Sequence, residues 1–193
     1  MSLFCFNSKE IEPHNERQSF RTLDFYDHLL FGYIFKTIIM ELLDRCGYEV
    51  CPFGYESTLP HLKKQLHGIN PTDTATKLRF TPDLIVRDPN EGKVNLVEVK
   101  ARSANGSRGI RIDEISYYLN FWPESIVVLV VPSKPYFYAR PVRDFPSQGP
   151  YSLDNFYLFE ELFLRLTYLP IDFRRKIVRK VITLFDERQR CNL

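Results

Sequence analysis

The feature that most constrains this chain is a short turn sequence, Asp88-Pro89-Asn90-Glu91-Gly92, set between two strand-like runs at residues 81–87 and 94–100. Proline presets one turn torsion, Asp and Asn bond their own backbone, and Gly tolerates positive φ, so the segment reverses the chain within a few residues. The two runs are therefore expected to pair as an antiparallel hairpin. Folding about Asn90 and Glu91 sets residues whose numbers sum to about 181 opposite one another, so that Asp83 meets Glu98. Strand side chains alternate with a period of two, which sends Glu98 and Lys100 to one face. Cross-strand neighbours approach within roughly 5 Å at Cβ. Two carboxylates and one ammonium group are thus expected to converge.

The remainder of the chain is read around that hairpin. Residues 1–21 carry no clear hydrophobic period and read as an N-terminal arm. Residues 24–45 hold no Pro and a dense apolar population that includes Leu29, Ile34, Ile38 and Leu42, which predicts a long, largely buried helix ended by Gly47. A short strand is expected at 48–52. Residues 53–80 read as an irregular insertion, with one helical turn near 62–66. Past the hairpin, Ile112, Ile115, Tyr118 and Leu119 recur at helical spacing and stop before Pro123. The β-branched run 126–131 suits a strand covered on both faces, and 136–140 suits its neighbour. Helices are predicted at 153–168 and 171–188.

In order, these elements give an α/β fold, a mixed β-sheet flanked by helices with a C-terminal helical extension. The boundaries are 1–21 for the arm, 22–145 for the core and 146–193 for the extension packed on the same domain. A length of 193 residues suits one such core. The apolar and charged fractions, 44% and 26%, are those of a folded protein. The net charge of +2 announces no polyanion partner, so any basic surface must come from local clusters. With no membrane-length apolar stretch and no leader pattern, the chain is expected to be soluble and intracellular, a host-cell location if its source is viral. The four cysteines, Cys5, Cys46, Cys51 and Cys191, show no metal-binding spacing. They are expected to be free thiols, with a Cys46–Cys51 or Cys5–Cys191 disulfide as the alternative.

Two carboxylates pressed together in an apolar sheet resist joint ionisation, and a bound cation relieves that penalty. Magnesium prefers oxygen ligands, accepts one or two carboxylates and leaves positions for water and phosphate oxygens. With Lys100 beside it, such a centre suits phosphodiester hydrolysis. Pro82-Asp83 followed by Glu98-Val99-Lys100 resembles the motif of the PD-(D/E)xK nuclease superfamily, over roughly residues 22–140. Among its members the chain looks most like archaeal Holliday-junction resolvases and small viral nucleases. The resemblance implies a restriction-endonuclease-like core and a magnesium ion, replaceable by manganese, held by Asp83, Glu98 and the backbone carbonyl of Val99. Lys100 would serve in catalysis. It also implies DNA as substrate and, if the likeness to resolvases holds, a homodimer.

Several family members add a carboxylate from the first helix, about three turns before its terminal glycine. This chain has Lys36 there. Glu41 is the acidic substitute on the helix, with Asp27 and Glu56 as further candidates; Glu41 as a solvated charge is the plainer reading. Glu114 and Tyr118, one helical turn apart, match a Gln and Tyr spacing of nuclease relatives, and Tyr118 is read either as a site residue or as core. Arg102, Arg108 and Arg111 follow Lys100 with no acidic residue between, and with Arg79 they are the candidate phosphate contacts. The basic run from Arg174 to Lys180 reads as the wet face of an amphipathic helix. The rival readings are a non-catalytic nucleic-acid-binding or assembly protein that keeps the fold, and an unrelated α/β module in which Glu98 and Lys100 merely pair.

Overall fold

A computed structural model describes residues 16–55, 72–102, 112–146, 153 and 156–191. Within these, the first helix α1 (Glu16–Arg45) leads to strand β1 (Glu49–Pro52) and helix α2 (Asp73–Arg79). Strands β2 (Leu84–Arg87) and β3 (Val94–Ala101) follow, then helix α3 (Ile112–Phe121), β4 (Ile126–Val130) and β5 (Phe137–Pro141). The chain closes with β6 (Tyr157–Leu158), one turn of helix α4 (Phe159–Leu162), a 3-10 segment (Leu164–Tyr168) and helix α5 (Ile171–Cys191). The six strands form one mixed sheet in chain order. Only the β3–β4 pair is parallel, and α3 makes that crossover.

Helix α1 buries Phe35, Ile38, Ile39, Leu42 and Leu43, the spacing of one helical face. It ends as the sequence requires. Gly47 takes a φ of +80°, its N–H donates to Asp44 O at 2.8 Å, and Tyr48 N–H donates to Leu43 O at 3.1 Å. This pair of bonds satisfies two of the last helical carbonyls, and a residue with Cβ would be strained in that conformation.

The hairpin register is the expected one, with Leu84 opposite Val97 and Arg87 opposite Val94. Asp88 builds its turn: Oδ1 accepts from the N–H of Asn90 at 2.8 Å, and Gly92, at φ +67°, donates to the Asp88 carbonyl at 2.8 Å.

Two apolar layers sandwich the sheet. On one face Leu84, Val86, Val97, Val128 and Val130 pack with α1 and with Ile177, Val181 and Phe185 of α5, where the Phe35 and Phe185 rings stack at 4.8 Å. On the other, Val127, Leu129 and Val131 pack with Ile115 and Tyr118 of α3. All five residues of β4 are buried, as its uncharged sequence demands, and each contributes roughly 1.5–3 kcal/mol of transfer free energy.

Three elements differ from the sequence reading. Helix α1 opens at Glu16, so residues 16–21 are helical rather than part of an arm. The last turns before the hairpin are the helix α2, capped by Thr72, whose side chain accepts from Ala75 N at 3.2 Å. In place of one helix over 153–168 there is an edge strand, β6, paired with Tyr138 and Ala139, followed by α4 and the 3-10 segment. The unpaired edge of β5 competes for backbone hydrogen bonds and takes Tyr157 and Leu158 into the sheet. The helical turn expected near 62–66 and the loop at 103–109 lie outside the described residues. Cys46 and Cys51 are free thiols, which excludes the bond between them. Among the described residues no helix is long and apolar enough to cross a membrane.

Candidate metal and phosphate site

The site lies where the sheet forks. The β2–β3 ladder ends at Leu84 and Val97, whereas β3 runs on beside β4 to Ala101. Pro82 has no N–H to offer the Val99 carbonyl, so the ladder does not continue there, and the Val99 N–H donates to a side chain, Asp83 Oδ2 at 3.0 Å. The Asp83 carbonyl turns the other way and accepts from Phe53 and Gly54 N–H at 2.8 and 3.2 Å. Asp83 is thus pinned at the fork by backbone on both sides. A strand residue directs N–H and C=O to one edge, so the Val99 carbonyl opens into the same gap.

Glu98 and Lys100 emerge on the α3 face, as their spacing requires. Their side chains pair at 2.8 Å, with Glu98 buried and Lys100 23% exposed. Tyr118 of α3 adds a hydrogen bond to Glu98, and the Lys100 ammonium lies 5.7 Å from its ring centroid. Tyr118 is 2% exposed, so it is at once core and part of the site. Behind it, Phe80 meets Tyr118 edge-on and stacks on Tyr117 at 4.1 Å.

Burial is the main cause that raises the Glu98 carboxyl from 4.5 to about 7, and the negative charge of Asp83 adds to it; Lys100 and Tyr118 pull the other way. The two acids therefore sense each other across the fork. Asp83 has a further partner that spacing did not reveal. Lys36 Nζ, from α1, stands 3.3 Å from Asp83 Oδ1. A lysine thus comes from the first helix to the position where a carboxylate would complete an acidic set.

The remaining candidates divide. Glu41 is not brought to the site: it pairs with Lys180 at 3.5 Å in the groove between α1 and α5. Five residues beyond Lys36 on the same helix, its side chain is turned well away from the Lys36 direction. Arg102 follows β3 with the register of Glu98 and Lys100, and its Nη1 donates to the Ala101 carbonyl at 3.3 Å. Arg79 is half-buried in the last turn of α2, next to Phe80. Arg108, Arg111 and Glu56, with the side chains of Asp27 and Glu114, lie outside the described residues. On α5, Arg175, Lys176, Arg179 and Lys180 are exposed, and Glu41, Asp172 and Glu187 line a groove with the last three of them.

Among the described residues no group of three or more His, Cys, Asp or Glu side chains gathers as a metal site. Two carboxylates and one backbone carbonyl are nevertheless a donor set that magnesium accepts, because it retains several waters. Asp83, Glu98 and Val99 fit that description chemically. In comparisons with family models, with curated proteins and with solved structures, nothing matches this chain.

Proposed function

We propose that this chain is a magnesium-dependent nuclease with a restriction-endonuclease-like core, acting on DNA at the fork between β2 and β3. One observation carries the reading: at the fork the Asp83 carboxylate accepts from Val99 N–H, next in chain to the buried Glu98, whose carboxylate pairs with Lys100 two residues along the same strand. Burying that charge costs several kcal/mol if nothing compensates it. Such a cost within an otherwise apolar sheet is characteristic of a functional site.

Asp83, Glu98 and the Val99 carbonyl would hold the ion, and manganese would substitute for magnesium. When bound, the ion supplies charge neutralisation on the phosphodiester and a water of lowered pKa. The protein groups do the positioning. Val99 N–H fixes the Asp83 carboxylate, and Tyr118 and Lys100 fix that of Glu98. The Lys100 ammonium orients the attacking water and supports charge on the phosphate oxygens. Arg102 and Arg79, with Arg108 and Arg111, would hold flanking phosphates by charge-assisted hydrogen bonds. A homodimer would place two such forks on two strands.

A second reading is favoured by one feature. The Lys36–Asp83 pair puts an ammonium group where a first-helix carboxylate would stand, and an acidic set left incomplete in this way suits a nucleic-acid-binding protein that keeps the fold without turnover. Incubating supercoiled, linear, single-stranded and four-way-junction DNA with magnesium, manganese or chelator separates the two. Metal-dependent cutting that falls at least about a thousandfold in Asp83→Ala supports the nuclease. Salt-sensitive binding with no cutting under any metal supports the second reading, and neither binding nor cutting refutes both.

A further inference from the structure

Helix α1 packs against one face of the sheet, through Phe35 and Ile39 among others, whereas Glu98 and Lys100 emerge on the opposite face beside Tyr118. Lys36 nevertheless reaches Asp83, because Asp83 lies in the gap left where the strands separate. Gly54 lies against the pair: a Cβ at that position would stand 3.6 Å from Asp83 Oδ1 and 3.7 Å from Lys36 Nζ, ordinary contact distances. The Lys36 side chain is only 11% exposed, against 27% for Asp83. Its charge is therefore weakly screened and held where it is.

A carboxylate held this way has limited capacity. Asp83 Oδ2 is committed to Val99 N–H and Oδ1 faces Lys36. Glu98 Oε1 faces Lys100 at 2.8 Å. One cation can still be shared between the inward lone pairs of the two acids. A second, on the α1 side of Asp83, would have to displace an ammonium group that already sits there. Resting on the metal-dependent reading above, we propose that Lys36 is a built-in cation of the site: it restricts the fork to a single divalent ion and supplies the positive charge that a second ion would otherwise bring.

Calorimetric titration of the full chain with manganese tests this without reference to turnover. The wild type is expected to take up one ion per chain. Lys36→Met, close to lysine in length, is expected to keep one ion and to bind it at least about tenfold tighter, since a like charge a few ångströms away has been removed. Lys36→Glu is expected to take up two, and Lys36→Arg to behave as wild type. Thermal melts of each variant confirm folding, and a purely structural role for Lys36 would leave the stoichiometry at one throughout. Two ions in the wild type, none in the wild type but one in Lys36→Met, or unchanged affinity in Lys36→Met overturns the role of Lys36 alone. No ion in any variant, or wild-type affinity in Asp83→Ala, overturns the metal-dependent reading itself.

Discussion

Strands β3 and β4 lie side by side, both in the middle of the sheet, and do opposite things. All five residues of β4 are buried and apolar, and the strand gives everything to cohesion. Its parallel neighbour directs Val97, Val99 and Ala101 into the same core from one face, yet from the other it presents a buried carboxylate and a lysine. Glu98 is the register partner of Val127, and Lys100 that of Leu129. Val127 and Leu129 are flanked by strands on both sides, whereas Glu98 and Lys100 have β4 on one side and the fork on the other. The difference teaches that charge enters this sheet where the ladder opens, and hydrocarbon fills it where the ladder is complete.

That contrast can be broken on either side. Leu129→Ala, at a fully buried position, is expected to lower the stability of the chain by about 2 to 5 kcal/mol in urea titrations, the cost of lost contacts and a cavity. Glu98→Gln is expected to do the reverse at alkaline pH. The Glu98 carboxyl is raised from 4.5 to about 7, so the folded state holds that proton more tightly than the unfolded chain. Its contribution to stability is fully present below about pH 4.5 and lost as pH rises through about 7. Measured in chelator, Glu98→Gln should match the wild type near pH 4 and exceed it by up to about 3 kcal/mol at pH 8. A wild type more stable than Glu98→Gln at pH 8 would mean that its ion pair outweighs its burial. The smallest effect is expected from Tyr118→Phe, which removes one hydrogen bond to the carboxylate, worth roughly 1 kcal/mol. Carbon-detected NMR titration should find the Glu98 carboxyl higher still, since that bond lowers it.

Local signals made the hairpin and its acids legible in the sequence. Turn residues set the reversal, period-two alternation set the faces, and the register followed from both, although the strand expected over 81–87 begins only at Leu84, after Pro82. Its spacing with Ile115 left Tyr118 open between core and site, and the structure makes it both, buried and bonded to Glu98. Contacts between distant segments left no such trace. Nothing near Lys36 announces Asp83, and nothing near Glu41 announces Lys180; both pairs exist only because α1 is laid across the sheet and against α5. The segment before α5 misled for a related reason. Phe159 and Phe163 have helical spacing, but the open edge of β5 captured Tyr157 and Leu158, and that competition is invisible to any local pattern. Residues 16–21 carry no stripe to mark them, so the start of α1 could not be read.

Arg165 carries a consequence of another kind. Its Nη1 donates to the Gly47 carbonyl at 3.0 Å, lies 3.6 Å from Asp88 Oδ1, and its guanidinium stacks 5.6 Å from the Tyr48 ring centroid. One late residue thereby clasps the end of the first helix to the tip of the hairpin. During synthesis both of those early pieces leave the ribosome well before their clasp does. The final tightening of this corner must wait until Arg165 has been made, which favours a slow closing step over piecemeal assembly.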